Sequence, residues 1–192
     1  MSDTTALLVI DMQNDFVQEG AVLEVKGIRS NIDRLRVFIH RLREKGIAII
    51  FTKHVFDPIN NSVEAKLFPG LLNARLRDNT LGAEIIKELK PFAHDVIIKK
   101  RRYDAFIGTE LDVYLRGRKI ETLIITGTMT NICCESTART AMMRDYKVLF
   151  CSDLTFTSDP ELHKNTLKNI SSHFGKVMTS EELCKLLLST PE

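Results

Sequence analysis

The sequence has no CxxC pair, no glycine-rich nucleotide loop, no excess of one charge and no apolar run long enough to cross a membrane. Four cysteines, Cys133, Cys134, Cys151 and Cys184, are too few for a disulfide scaffold in 192 residues and lack zinc-type spacing. A reducing cytoplasm is therefore the expected location. Neither GxGxxG nor GxxxxGK[ST] occurs, which removes the common nucleotide-binding readings. The first apolar run, Ala6 to Ile10, follows an acidic start and is too short for a signal or spanning segment. Lysine and arginine total 27 against 25 acids, so electrostatics supply no reason to expect nucleic acid or an anionic membrane as partner. With no long polar or low-complexity stretch, residues 1–192 read as a single domain.

What the chain does have is alternation. Apolar, β-branched runs recur at Ala6–Ile10, Ile47–Phe51, Val96–Ile98, Thr122–Thr126 and Lys147–Cys151. Continuous apolar character predicts strands buried on both faces. Between the first two lies a helical period, Ile32, Leu35, Phe38, Ile39 and Leu42, which ends at Lys45-Gly46. Further helices are predicted over Leu81–Leu89, Thr109–Leu115, Ile132–Met143 and Pro160–Phe174. Val177-Met178 reads as a last strand, and Thr179-Ser180-Glu181-Glu182 opens a final helix. The expected fold is α/β: a three-layer sandwich with about six mostly parallel strands and helices on both faces, Rossmann-like in arrangement. Active sites in such folds form at the carboxyl ends of strands. Residues 52–80 break the rhythm with Pro58, Asn60-Asn61, Pro69-Gly70 and Asn73. A stretch of that length reads as a substrate-covering or subunit-contacting excursion, or as a plain surface insertion.

Three residues at strand ends carry possible chemistry. Asp11 follows the first strand; alone it also reads as a helix or turn cap. Lys100 follows the third within Lys99-Lys100-Arg101-Arg102, a cluster that alone reads as a solvated face. Cys133 stands after the fourth strand where a helical pattern begins. A thiol in a helix's first turn gains thiolate character from unpaired N–H groups, and those groups can hold an oxyanion; a small buried hydrophobe is the other reading. Taken together, an acid, a lysine and a cysteine at one crevice are a nucleophile with its activators.

The segments Leu8-Val9-Ile10-Asp11-Met12-Gln13-Asn14-Asp15-Phe16 and Gly127-Thr128-Met129-Thr130-Asn131-Ile132-Cys133-Cys134-Glu135-Ser136-Thr137-Ala138-Arg139 resemble the two signature regions of isochorismatase-like cysteine hydrolases. Lys100-Arg101-Arg102-Tyr103-Asp104-Ala105-Phe106 resembles the family's lysine segment. The likeness runs from about residue 5 to about residue 185, the 52–80 excursion excepted. It implies Asp11 as base, Cys133 as nucleophile, Lys100 as the group supporting their ion pair, and a thioester intermediate. It also implies a cis peptide between Thr128 and Met129, aiming the Met129 and Cys133 N–H groups at an oxyanion, and a homodimer or homotetramer.

Substrate class is narrowed by two departures from family relatives. Nicotinamidase-like members bind a metal through an aspartate and histidines after the second strand, whereas this chain has His54 there, with Asp57 near it. His54 therefore reads as pocket-lining or structural, and neither metal nor cofactor is expected. Thr130-Asn131 replaces the Ala-His usual in isochorismatase proper. With Arg102-Tyr103 and the Leu81-Gly82-Ala83-Glu84-Ile85 run, it is closer to members that cleave carbamoyl, ureido or carboxamide groups. Phe16 and Tyr103 stack on a planar substrate or pack internally; Arg102 meets a substrate carboxylate or a surface partner. Asn131 completes the expected substrate-binding set. Two other classes stay open beside the hydrolase: a non-catalytic binding protein on the same fold, and a redox protein using Cys133-Cys134, disfavoured by the strained ring that adjacent cysteines close.

Overall fold

The computed structural model describes residues 2–56, 63–68 and 76–188. Its centre is a six-stranded sheet in the order β3-β2-β1-β4-β5-β6, with every pairing parallel. The strands are β1 (Thr5–Ile10), β2 (Ala48–His54), β3 (Val96–Lys100), β4 (Thr122–Thr128), β5 (Lys147–Phe156) and β6 (Lys176–Met178). The chain winds outward from β1 on one side and from β4 on the other. The direction of winding therefore reverses between β1 and β4, the place at which open α/β sheets form a crevice beyond the strands' carboxyl ends.

Two apolar layers follow from strand alternation. On one face Leu7, Val9, Ile49, Phe51, Ile124 and Leu149 pack with α2 (Ile32–Glu44) and α7 (Ser180–Leu188). On the other, Ala6, Leu8, Ile10, Ile50, Leu123 and Ile125 pack with α4 (Leu111–Gly117), α5 (Glu135–Met143) and α6 (Pro160–His173). Short α1 (Asn14–Val17) and α3 (Val63–Leu67) lie in the connections after β1 and β2. Among the described residues no helix is long and apolar enough to cross a membrane.

The helix ends are built by the expected residues. At the end of α2, Ile47 N–H reaches Leu42 O and Gly46 N–H reaches Arg43 O, with Gly46 at φ 75°. That paired closure needs a left-handed residue, which glycine adopts without a Cβ clash. Asp159 caps α6 by accepting from the N–H groups of Glu161 and Leu162 ahead of Pro160. Thr179 and Glu182 satisfy each other's N–H groups at the start of α7.

Three expectations need correction. Leu81–Leu89 is not a helix but two 3-10 turns, Leu81–Ala83 and Lys87–Leu89. Between them the chain is extended, because Ile85 bridges Gln13, Ile86 N–H binds Met12 O and Asn14 N–H binds Glu84 O. Those tertiary bonds outweigh the local apolar spacing, and Leu81 is left exposed. Secondly, β3 is not buried on both faces: Ile98 and Lys100 point inward while Ile97 and Lys99 are exposed, as suits an edge strand. Thirdly, the region 52–80 is not irregular throughout, since β2 continues to His54 and α3 occupies Val63–Leu67. Residues 57–62 and 69–75 of the proposed excursion, Asp57 included, lie outside the described residues.

Candidate active site

Asp11, the residue after β1, has φ 51° and is fully buried. Its neighbour across the sheet is Thr52 on β2. The Thr52 hydroxyl donates to Asp11 Oδ1 at 2.6 Å and accepts from the Asp11 N–H at 3.1 Å. One carboxylate oxygen is thereby fixed, and the other, Oδ2, faces Lys100 Nζ at 2.7 Å. β3 lies two strands from β1, roughly 9–10 Å at the usual spacing, so a lysine side chain is needed to span β2. Strand alternation decides which lysine arrives: Lys100 is fully buried, while Lys99 turns outward to Asp78 at 2.9 Å.

Lys100 is held by more than Asp11. Its ammonium donates to Arg102 O at 3.0 Å and contacts His54 Nδ1 at 3.1 Å. His54 ends β2 in register with Lys100. Burial works against the ammonium charge, but the charges and hydrogen bonds of Asp11 and Cys133 outweigh it and leave the lysine above its ordinary range. For His54 burial and the charges of Lys100 and Arg102 act together, holding the imidazole well below its ordinary value. It is neutral at pH 7.

On the other side of the crevice, β4 ends in a tight passage. Gly127 lies opposite Ile10 with φ 109°, and a Cβ there would sit 2.1 Å from Ile10 O. Only glycine allows that approach. The Thr128–Met129 peptide bond is cis. Met129 O then accepts from the N–H groups of both Ile132 and Cys134 at 3.1 Å. The bond to Cys134 is one residue wider than an α-helical bond, so Thr130–Cys134 forms a π turn and α5 begins only at Glu135. Cys133 thus sits in a π turn before the helix and not in an α-helix's first turn.

The Cys133 thiol is buried, and Asp11, His54 and Cys133 bring ligand-type atoms within 4.8 Å of one another. Here the electrostatics differ from the sequence expectation. Burial, reinforced by the Asp11 charge, pushes the thiol well above its ordinary range, and Lys100 pulls only partly against it. Cys134 is pushed up as well, by burial and then by Cys133 and Asp11. Cys133 therefore rests as a thiol beside the Asp11 carboxylate. All four cysteines are free.

A carboxylate, an imidazole and a thiol would suit a thiophilic divalent ion. The Lys100 ammonium, however, already lies against two of the three, Asp11 and His54. The cluster is filled by a side-chain cation.

The remaining candidates are spread around this centre. His54 packs its ring 4.7 Å from Phe56 and 6.0 Å from half-buried Tyr103. Asn131 is half-buried, and its Oδ1 is inaccessible to solvent with no hydrogen-bond partner among the described residues. The Arg102 guanidinium turns back to Arg101 O at 2.6 Å, while its carbonyl holds Lys100. Phe16 belongs to the apolar layer that includes α2, and Met129 packs against the same layer.

Several supporting residues escaped the sequence reading. Thr52 positions Asp11. Gln13, fully buried, clamps the His54 backbone by donating to its O at 2.9 Å and accepting from its N–H at 2.7 Å; it also reaches Ala83 O. Thr130 Oγ1 lies 3.0 Å from His163 Nδ1 on α6, which ties the π turn to that helix. Gln13 lies within the motif that carries Asp11, and that likeness was the available signal. The other pairs span the sheet or separate helices and have no local trace.

Fold and site together define the class: a doubly wound α/β protein with a carboxylate, an ammonium and a thiol gathered in the crevice between β1 and β4. Residues 5–182 match the isochorismatase domain family, and the chain belongs to it. A ureidoacrylate amidohydrolase from Yersinia enterocolitica is 31% identical over 97% of this chain and 90% of the relative. A cysteine hydrolase from Pseudomonas syringae pv. phaseolicola 1448A superposes with a TM-score of 0.93 at 29% identity, covering 98% of this chain and 94% of that one. An N-carbamoylsarcosine amidase from Thermoplasma acidophilum superposes with a TM-score of 0.81 at 26% identity, covering 93% and 97%.

Proposed function

We propose that this chain is a cysteine amidohydrolase that cleaves a C–N bond of a small carboxamide, ureido or N-carbamoyl compound. The observation that carries the reading is the fully buried Asp11–Lys100 pair at 2.7 Å with the Cys133 thiol beside it. Similarity to a ureidoacrylate amidohydrolase and an N-carbamoylsarcosine amidase supports the substrate class. Asn131 supports it too: a buried acceptor oxygen without a donor among the described residues suits a substrate N–H.

In this reading Asp11 removes the proton from Cys133 Sγ as sulfur attacks the substrate carbonyl carbon. The N–H groups of Met129 and Cys133 receive the oxyanion. The tetrahedral centre collapses, the C–N bond breaks, and the leaving nitrogen takes the proton from Asp11. Water then attacks the thioester and gives one proton back to Asp11. The C–S bond breaks, and Asp11 returns the proton to sulfur. Lys100 keeps positive charge beside whichever of Asp11 and Cys133 is anionic. Phe16, His54, Arg102 and Tyr103 remain candidates for shaping the pocket. We place this reaction in one catalytic domain, in a cytoplasmic protein that forms a homodimer or homotetramer.

The test is ammonia release from ureido acids, N-carbamoyl amino acids and simple carboxamides, with wild type and Cys133→Ala side by side. Release by wild type that disappears in the variant is the expected result. Release that survives the substitution, or none from any compound, overturns the reading.

A further inference from the structure

We propose that His54 is a positioning residue for Lys100: its neutral ring accepts a hydrogen bond at Nδ1 and holds the ammonium in place between Asp11 and Cys133. This rests on the proposed roles of the three central residues and assigns His54 a part distinct from substrate contact or metal ligation.

An ammonium has three N–H groups, and Lys100 Nζ shares them among Asp11 Oδ2 at 2.7 Å, Arg102 O at 3.0 Å, His54 Nδ1 at 3.1 Å and the Cys133 sulfur. A lysine can only donate, so Nδ1 must be the acceptor and the ring proton belongs on Nε2. Gln13 fixes the His54 backbone from both sides, and Phe56 and Tyr103 pack near the ring. The imidazole is therefore set before any substrate arrives. Burial and the neighbouring charges of Lys100 and Arg102 keep it neutral and able to accept.

The arrangement matters most at the step when Asp11 takes the thiol proton. Asp11 then loses its charge and its hold on the ammonium weakens, so one N–H is released toward the new thiolate. His54 Nδ1 and Arg102 O are the partners that do not change protonation during that transfer. They keep the ammonium from following the proton. Without His54 the lysine has a single constant anchor, a backbone carbonyl.

The experiment compares His54→Leu, His54→Asn and His54→Gln with wild type. Asparagine offers an oxygen near the place of Nδ1; glutamine offers its oxygen near Nε2. Two readouts are taken: kcat and KM on a turned-over amide, and the rate of Cys133 alkylation by iodoacetamide followed by intact mass. Folding is verified by circular dichroism. The Leu variant is expected to lose about 10-fold to 100-fold in kcat, the range seen when an outer group that orients a ligand is removed. KM stays within about 2-fold, alkylation slows, and Asn restores both rates while Gln does not. Should Leu fail to fold, the contrast of Asn with Gln decides the matter. A rise in KM alone makes His54 a substrate contact and overturns the proposal, as does equal behaviour of Asn and Gln. Alkylation needs no substrate, so an alkylation series in the expected order upholds His54 even if no amide is hydrolysed and the functional reading fails.

Discussion

Thr52 and Asp11 exchange two hydrogen bonds across the β1–β2 boundary, one through the Asp11 N–H and one through its Oδ1. A single hydroxyl thus sets both the backbone and the side chain of the proposed base, leaving Oδ2 for Lys100. Thr52→Val keeps the shape and removes the hydroxyl. A buried N–H and a buried carboxylate oxygen then lose a partner, at a cost of about 1–3 kcal/mol. The expected outcome is a urea midpoint lowered without change in slope, together with a lower kcat. An unchanged midpoint would mean that water replaces the hydroxyl.

The Asp11–Lys100 pair is expected to behave as a unit in stability but not in activity. Lys100→Met strands a buried carboxylate and should cost about 3–5 kcal/mol, as breaking a buried pair does. Adding Asp11→Asn removes the stranded charge and keeps an oxygen for Thr52 to bind. The double variant should regain most of the lost stability, measured by urea unfolding at pH 7, and remain inactive. A single variant as stable as wild type would show that the pair contributes nothing to the stability of the fold.

Gly127 and Gly117 make opposite predictions for the same substitution. At Gly127 a Cβ would stand 2.1 Å from Ile10 O with φ at 109°, so Gly127→Ala must move β1 or β4. A loss above about 4 kcal/mol and little soluble protein are expected. At Gly117, in the last turn of α4, a Cβ meets nothing within 4 Å. There alanine should raise stability by about 0.5–1 kcal/mol through helix propensity. Thermal melting of the two variants separates the cases.

Most of the fold was legible because β1, β2 and β4 are apolar on both faces, a pattern that only a covered sheet explains. Asp11, Lys100 and Cys133 were legible from motif likeness and from their places after three strands. Leu81–Leu89 was misread because its apolar spacing is local, whereas its conformation is set by bonds to Met12, Gln13 and Asn14 about 70 residues away in sequence. The contacts of Thr52 with Asp11 and of His54 with Lys100 depend on strand order and register, which no local pattern encodes. The upward push on the thiol was not legible for a related reason: proximity to a helix start is visible in sequence, while burial beside a carboxylate is not.

His54 should also leave a mark on stability as pH falls. Unfolded, its imidazole binds a proton near the ordinary value of 6.5; folded, burial first and then the Lys100 and Arg102 charges hold it well lower. Below 6.5 the unfolded chain therefore carries a proton that the native protein refuses. The stability this group contributes is fully present above 6.5 and is lost as pH falls toward the folded value, at up to about 1.4 kcal/mol per pH unit. His163, also lowered by burial, acts in the same direction. The lowered carboxylates, Asp78, Asp153, Glu181 and Glu182, titrate further down and leave the window from pH 7 to pH 5 to the histidines. Urea midpoints across that window should fall for wild type and fall less for His54→Asn. Parallel slopes would show that His54 takes up its proton equally in the folded and unfolded states, against a ring held neutral by its surroundings.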